Sequence, residues 1–422
     1  MATQPSPMGQ FEFKRGNTPY VNRGALTDEY TPNSLVGRDD ELEEYHSALE
    51  PVIWGETPKN IFLYGKTGVG KTASTKYFLK QLEADSEQYD DLVLRTVFLN
   101  CDGLETSYRL CIALVNQMRS ASQQISESGY SKSEAYAMLW EELESRAGTV
   151  LIVLDEVDHI KSGEDSILYQ LSRAHANGNV SDTKIGIIGI SNDLTFTDDL
   201  SPKVKSSLCE RQLHFPTYDA TELQDVLQQR ADIAFKDDGL DEGVIPLCAA
   251  YGAKEAGDAR KALDLLLEAG DVARENKRSL VTEDDVNRAQ SRLKSKKVRR
   301  GIQGLHEHDH YILYALCVLA ANGKMPARTR VIYPQYERIC EAGDIDPHTS
   351  RWVSDHLDEL KMLGLLSVTE KNLGRKGGKY RKWDLKTDIS NILESIEETL
   401  KVVGVLRSIE PYIPDSLELR SN

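Results

Sequence analysis

The sequence lacks the features that mark secreted and membrane proteins. Its 6 cysteines are scattered and contain no CxxC pair, so neither a disulfide framework nor a zinc site is indicated. No uninterrupted apolar run is long enough to span a bilayer, and the N-terminus lacks the basic-then-apolar order of a signal peptide. We therefore expect a cytoplasmic protein without a membrane segment. The 422 residues are enough for about three domains.

Positive charge is also scarce, since Lys and Arg total 51 residues against 67 Asp and Glu, which gives a net charge of −16. Such a balance argues against an extended nucleic-acid-binding surface, because phosphate backbones are bound through positive charge. The basic residues nevertheless cluster in two segments, Arg292 to Arg300 and Lys371 to Lys382. A local contact with nucleic acid is therefore compatible with the negative net charge. A strongly acidic surface also suits a salt-rich cytoplasm.

A glycine-rich segment, GKTGVGKT, directly follows the apolar run Ile61 to Tyr64. A strand that ends in such a turn and restarts as a helix directs backbone N–H groups and the positive helix end at one point, which suits phosphate. Lys71 is expected to reach the outer phosphates, and Thr72 to offer its hydroxyl to Mg²⁺. The predicted cofactors are ATP or ADP with Mg²⁺. The loop residues expected to bind them are Gly65, Lys66, Thr67, Gly68, Val69, Gly70, Lys71 and Thr72.

Two later apolar runs end in polar side chains that suit the same chemistry. The run Val150 to Leu154 reads as a strand buried on both faces, and it ends in Asp155 and Glu156. Because ligands bind at the carboxyl ends of parallel strands, we expect Asp155 to hold the Mg²⁺ shell and Glu156 to orient or deprotonate the attacking water. The next strand is followed by Asn192, a candidate for contacting the γ-phosphate or the water.

Two arginines are further candidates for the nucleotide site. Arg260 lies in the first turn of a predicted helix that Asp258 caps, where an arginine is unfavourable for the helix dipole unless an anion such as the γ-phosphate holds it. A solvated arginine is the alternative. Upstream, the segment Val36, Gly37 and Arg38 precedes a predicted helix. In phosphate-loop proteins with such a leader, this segment commonly packs beside the base.

The C-terminal part predicts a winged helix. Three predicted helices are followed by a strand, a basic glycine-rich tip and a returning strand, and in this fold the third helix enters the major groove. A solvated hairpin without a partner is the alternative. The candidate DNA contacts are Thr349, Arg351 and Trp352 on the third helix, and Arg375, Lys376, Lys379 and Arg381 on the wing. We interpret His306, His308 and His310 as the polar start of a helix rather than as metal ligands, because no second cluster completes a site.

With the phosphate loop, the LIVLDE strand, Asn192, the GDARKALDLL segment and the winged helix in this order, the chain resembles the archaeal replication initiators. That family is related to eukaryotic origin recognition complex subunits and to the cell-division-cycle helicase loader. The resemblance covers about residues 30 to 385. It implies an α/β phosphate-loop AAA+ module with a parallel sheet, an α-helical lid and a C-terminal winged-helix domain. The expected segments are a disordered tail (1–29), an AAA+ base (30–217), a lid (218–300) and a winged-helix domain (301–422).

The resemblance also implies partners and an activity. It implies binding of double-stranded origin DNA, contact with the replicative helicase, and association with paralogous initiators or with a second copy on DNA. The segment Thr106 to Arg109 resembles the DNA-contacting turn of the family's AAA+ insertion, so Tyr108 and Arg109 are candidate DNA contacts. The implied activity is a weak, Mg²⁺-dependent ATPase that acts as a switch.

One departure from the family pattern bears on hydrolysis. Where eukaryotic relatives carry an arginine finger, this chain has Lys203, Lys205 and Ser207, so activation by a neighbouring subunit is not expected. The alternative function is an ATP-dependent signalling or transcription regulator that also joins a phosphate-loop module to a winged helix. A clamp loader or other remodeller would need no winged helix. The DNA sequence and the oligomeric state on DNA stay open.

Overall fold

The structure is a computed structural model that describes residues 16–160, 167–372 and 379–402. The chain divides into two compact units, of which the first runs to Ala289 and the second begins at Gln290. Each unit has its own hydrophobic core.

The first unit is built on a five-stranded parallel sheet with the strand order β2-β3-β4-β1-β5. Its strands and helices are α1 (Asp39–Leu49), β1 (Ile61–Tyr64), α2 (Lys71–Ser86), β2 (Leu94–Asn100), α3 (Ser107–Met118), α4 (Lys132–Glu144), β3 (Gly148–Asp155), α5 (Ile167–Ser172), β4 (Thr183–Ser191), α6 (Phe196–Asp199), α7 (Pro202–Leu208) and β5 (Arg211–His214). The parallel sheet predicted from the sequence is confirmed.

Strand β3 is apolar along its length because both of its faces are buried. Val150 and Ile152 belong to one core cluster, whereas Leu151 and Val153 belong to the other. Alternate side chains of one strand therefore fill the cores on opposite faces of the sheet, so neither face of β3 has room for a polar residue.

Helices follow the sheet: α8 (Ala220–Ala234), α9 (Val244–Lys254), α10 (Ala259–Glu275) and α11 (Glu283–Gln303). The last of these contains the basic segment Arg292 to Arg300 that the sequence analysis singled out. It is mostly exposed, but it is helical and continues α11. The acidic first turn and the basic last turn of α11 suit the helix dipole, and Lys and Arg have high helix propensity. The boundary between the units thus falls inside a helix.

The expectation for the N-terminal segment is corrected. Residues 1–29 were predicted to be a disordered tail, but from residue 16 onward the chain is described and packs against the lid. The Tyr20 ring stacks on Phe235 with centroids 4.9 Å apart, and its hydroxyl donates to the Leu267 carbonyl at 2.6 Å. A single turn, Arg23–Leu26, buries Ala25 and Leu26. These few apolar residues show no helical or strand-like periodicity, so the sequence does not reveal that they are buried. Their burial depends on the surface of the folded lid. Residues 1–15 lie outside the described residues.

The second unit has the helix and hairpin order of a winged helix, as predicted. Its elements are α12 (Glu307–Ala321), α13 (Thr329–Ala342), α14 (Ser350–Met362), β6 (Leu366–Asn372), β7 (Lys379–Leu385) and α15 (Ile389–Val402). Strands β6 and β7 pair antiparallel, with Leu366 opposite Leu385. Ile392 and Ile396 of α15 are buried in the same core as Trp383.

Candidate nucleotide-binding site and DNA interface

The phosphate loop joins β1 to α2, as its sequence predicts, and two of its glycines have neighbours that exclude a side chain. Gly70 has φ of 94°, and a Cβ there would lie 2.8 Å from the Tyr218 hydroxyl. Gly68 has φ of 77°, and a Cβ there would lie 1.7 Å from a carboxylate oxygen of Asp258. Both positions combine a left-handed backbone with a close neighbour, so glycine is required at each.

Lys71 is buried at the start of α2 with its amine inside the loop. The amine donates to the carbonyls of Gly65 at 2.7 Å and Lys66 at 2.8 Å, and to the amide oxygen of Asn192 at 3.0 Å. Burial lowers the pKa of Lys71 to about 8, Asp155 and Asp158 oppose that shift, and Arg260 adds to it. The loop thus holds a cation whose charge an incoming phosphate would stabilise.

The two residues predicted to hold Mg²⁺ are in contact. The Thr72 hydroxyl lies 3.2 and 3.0 Å from the two carboxylate oxygens of Asp155. Burial raises the pKa of Asp155, although the hydrogen bond from Thr72 opposes the shift. Hydroxyl and carboxylate oxygens are the ligands that Mg²⁺ prefers, so the donor set fits this ion.

Glu156 directly follows Asp155 and has a left-handed backbone with φ of 57°. That conformation is uncommon for a residue other than glycine, and strained backbone of this kind clusters at active sites and ligand sites. The Glu156 carboxylate lies within 4.8 Å of ligand atoms of Asp102 and His159. Sequence reasoning missed these two neighbours, although Asp102 follows the end of β2 just as Glu156 follows the end of β3.

Asn192 connects β4 to the phosphate loop. Besides accepting a hydrogen bond from Lys71, it donates its backbone N–H to Asp158 at 3.3 Å. The predicted side chains at the ends of β3 and β4 therefore meet the loop residue Lys71. The distinct roles predicted for Asn192 and Glu156 stay predictions.

Lid helix α10 begins against the phosphate loop. Asp258 caps the helix by accepting from the backbone N–H of Arg260 at 3.0 Å and of Lys261 at 3.3 Å. The backbone N–H of Ala259, the first residue of α10, donates to the Gly68 carbonyl of the phosphate loop at 3.0 Å. The Arg260 side chain is half exposed, and its Nε lies 3.3 Å from a carboxylate oxygen of Asp28.

A cleft of about 400 Å³ joins these groups, with Lys71, Thr72, Asp155, Glu156, Asn192 and Arg260 in its wall. Val36 and Arg38 line it as well. The Arg38 guanidinium is buried, however, 3.8 Å from the centroid of the Tyr218 ring, and it donates to the Pro216 carbonyl. Arg38 therefore holds the leader segment to the sheet. Sequence reasoning missed several residues of the wall, among them Asp28, Tyr30, Pro32, Leu35, Tyr218 and Leu263.

The predicted DNA-contacting turn lies at the start of α3. Arg109 is exposed, and its guanidinium donates to the Gly103 carbonyl at 3.1 Å. Tyr108 instead packs against the core of the sheet. Its hydroxyl is buried and has no hydrogen-bond partner among the described residues. The Tyr108 ring thus anchors the helix, and its predicted DNA contact stays a prediction.

Two of the three candidates on the predicted recognition helix α14 also make contacts within the protein. The Thr349 hydroxyl caps the helix by accepting from the Trp352 N–H at 3.3 Å. The Trp352 ring stacks between His348, with centroids 4.2 Å apart, and His356, with centroids 3.5 Å apart. Arg351 is exposed. Its position at the helix start thus suits the predicted contact better than those of Thr349 and Trp352.

The three histidines that begin α12 have different surroundings. His310 is buried, and its Nε2 lies 2.7 Å from the Ile302 carbonyl oxygen. His308 joins the aromatic stack of α14, with its ring 4.2 Å from that of His348, and its Nδ1 lies 2.7 Å from the Tyr336 hydroxyl. Burial, aided by His348, lowers the pKa of His308. This side chain therefore belongs to the packing between α12 and α14.

The wing is tied to the recognition helix through Arg381. One guanidinium nitrogen of Arg381 donates to both carboxylate oxygens of Asp358, at 3.0 and 2.8 Å, and Nε donates to Glu370 at 3.2 Å. Arg381 is therefore paired within the unit although its side chain is 48% exposed, and its predicted contact with phosphate stays a prediction. Lys379 begins β7 but its side chain is not described, and Arg375 and Lys376 lie outside the described residues. Their predicted contacts stay predictions.

Comparisons with known proteins repeat the same domain order. An AAA domain matches residues 55–194, a Cdc6 AAA+ ATPase-type lid domain matches 224–291, and a CDC6 C-terminal winged helix domain matches 300–395. ORC1-type DNA replication protein 11 of Haloarcula marismortui is 54% identical over 402 residues, which are 95% of this chain and 96% of that protein. The ORC1-type DNA replication protein of Pyrococcus furiosus is 39% identical over 404 residues, 94% of this chain and 93% of that protein.

A solved structure of the Aeropyrum pernix ORC1 protein in complex with DNA has a TM-score of 0.74 to this chain at 34% identity. It covers 92% of this chain and 98% of that one. Fold, phosphate loop and lid contact together define an AAA+ ATPase that carries a C-terminal winged helix. The chain belongs to the archaeal ORC1-type DNA replication proteins, the initiator family that the sequence motifs indicated. Among the described residues, no helix is both long and apolar enough to cross a bilayer.

Proposed function

We propose that this replication initiator binds duplex DNA at origins in its ATP-bound state, and that slow, Mg²⁺-dependent hydrolysis ends that state. The observation that carries the proposal is the start of α10 on the phosphate loop, where Ala259 donates to Gly68. Arg260 of the lid and Lys71 line one cleft. A γ-phosphate bound to Lys71 would therefore also contact Arg260 and favour one position of the lid.

The proposed hydrolysis of ATP uses side chains at the carboxyl ends of the strands. Mg²⁺ held by Thr72 and Asp155 would neutralise phosphate charge. Glu156 would orient or deprotonate the attacking water from the end of β3. Asn192, whose amide oxygen accepts from the Lys71 amine, would contact the γ-phosphate or the water. Slow turnover is expected because Lys203 and Lys205 lie in the segment where eukaryotic relatives carry an arginine finger, and Lys205 pairs with Asp198 at 3.3 Å. Hydrolysis then serves as a switch rather than as a motor.

The proposed DNA partner is supported by a related structure and by two exposed arginines. A relative that is 34% identical has been solved in complex with DNA, and its likeness covers 92% of this chain. Arg351 on α14 and Arg109 on the AAA+ insertion are exposed cations at positions where contact is expected. By family membership we also propose that the protein helps to load the replicative helicase and associates on DNA with paralogous initiators or with a second copy.

Duplex binding by the full chain tests this proposal. We expect tighter binding to a duplex with the inverted repeats that flank an A·T-rich segment near the gene than to a scrambled duplex of equal composition. The preference should be larger with ATP than with ADP. Equal binding to both duplexes across a salt series would reject origin recognition. Protection of promoters instead of such repeats would favour the alternative regulator.

A further inference from the structure

The N-terminal strap, which we define as residues 23–30, is fastened to the lid at both ends. Near its start, Arg23 forms a two-point ion pair with Asp271 of α10 at 3.0 and 2.7 Å. At its end, Arg230 of α8 donates to the Tyr30 carbonyl at 3.1 Å and lies 4.5 Å from the centroid of the Tyr30 ring. The lid therefore determines where the residues between these anchors lie.

Between the anchors, Asp28 projects into the nucleotide cleft. Its carboxylate lies 3.3 Å from Nε of Arg260, and both side chains line the same cleft as Lys71. Asp28 is 58% exposed and Arg260 is 50% exposed, so water reaches the pair. Two other charged groups interact with Asp28, namely Arg230 and Asp264.

A carboxylate and a γ-phosphate are competing partners for one guanidinium. Arg260 presents a planar fork that suits either anion, but phosphate carries more charge and more acceptor oxygens. An exposed ion pair with a single short contact is weak because water screens it. A γ-phosphate close enough to bind Arg260 would also be repelled by Asp28, so the two anions cannot both hold the arginine favourably.

We propose that Asp28 is a positioning residue that holds Arg260 while no γ-phosphate is present and releases it when ATP binds. The strap then reports the nucleotide state, and Asp28 sets how strongly the site prefers ATP over ADP. This inference rests on the proposed contact between Arg260 and the γ-phosphate. ADP, which lacks that phosphate, leaves the ion pair intact.

The first measurement is the dissociation constant of ATP and of ADP, by calorimetry with Mg²⁺, for the full chain and its variants. Asp28→Asn should tighten ATP binding about two- to fivefold, the size of an exposed ion pair, with a smaller change for ADP. Asp28→Glu should keep the wild-type ratio. Glu29→Gln removes the same charge one residue away, outside the cleft wall, and should change neither constant. Equal tightening for both nucleotides, or none, would overturn the proposal.

The second measurement separates the inference from its premise. Arg260→Ala should reduce the preference for ATP, and adding Asp28→Asn to that variant should have no further effect on the ratio. If Arg260→Ala leaves the ratio unchanged, the proposed contact of Arg260 with the γ-phosphate fails. If Arg260→Ala lowers the ratio while Asp28→Asn acts alike in both backgrounds, only the role of Asp28 fails.

Discussion

In the nucleotide cleft, side chains predicted from separate parts of the sequence meet, whereas in the winged helix several predicted DNA contacts are engaged within the protein. Lys71 touches Asn192, and Thr72 touches Asp155. In contrast, Thr349 caps its own helix and Arg381 pairs with Asp358. A site in which backbone groups hold the ligand can be predicted from a short motif. A site that reads DNA depends on which side chains remain free after packing.

The largest expected effects test the first half of this comparison. Lys71→Ala should weaken ATP binding by about 2–5 kcal/mol, because it removes a buried charged partner of the phosphates. Glu156→Gln should instead leave ATP binding intact and lower turnover by about 100-fold or more, because Glu156 acts on the water. Nucleotide binding and single-turnover hydrolysis check both results.

A matched control for Lys71→Ala is Lys80→Ala, which removes an exposed lysine from the same helix. It should change neither binding nor turnover. Undiminished hydrolysis in Glu156→Gln would remove that residue from the mechanism.

The next effect tests the recognition-helix candidate that carries a positive charge. Arg351→Ala should cost about 1–3 kcal/mol of DNA binding and relax base preference, if its guanidinium reads a base edge. Binding to a set of single-base variants of the duplex measures this. A uniform loss across all variants would instead indicate a phosphate contact.

A smaller effect distinguishes a structural role of Arg381 from a direct contact with a DNA phosphate. Because Asp358 already neutralises it, we expect Arg381→Ala to act by loosening the wing and to leave the salt dependence of DNA binding unchanged. Asp358→Asn should weaken binding in the same direction. If Arg381 contacts phosphate, its loss lowers the salt slope by about one unit, and Asp358→Asn strengthens binding. Binding across a salt series distinguishes these outcomes.

The smallest effect is a proton linked to ATP binding. Without nucleotide, the amine of Lys71 loses its charge as pH rises through its pKa of about 8. Phosphate favours the charged amine and raises that pKa, so ATP binding should take up as much as one proton above pH 8 and weaken as pH rises further. Calorimetry in two buffers with different ionisation enthalpies measures the uptake. Uptake that persists in Lys71→Arg would assign the proton to another group.

Much of the fold followed from local signals. The phosphate loop, the doubly buried strand β3 and the capped start of α10 were each predicted from a few adjacent residues, because backbone geometry and helix capping act over short distances. The helical state of the basic segment Arg292 to Arg300 did not follow from such a signal, since a run of lysine and arginine resembles an exposed linker as much as a helix.

Other features depend on partners far away in the sequence. Tyr20 is buried only because the Leu267 carbonyl and the Phe235 ring form its surroundings, and 247 residues separate Tyr20 from Leu267. Likewise, no local pattern pairs Arg260 with Asp28 or Arg381 with Asp358.

By itself, the sequence determined which chemistry this protein carries: a phosphate-binding loop, acidic strand ends, a lid arginine and a winged helix. Those signals are local, because a few consecutive residues set the backbone that presents each group. Only the tertiary structure decided which charged side chains pair with one another, as Arg381 does with Asp358. The reason is that charge compensation and burial depend on neighbours brought together by packing, and no spacing along the chain encodes them.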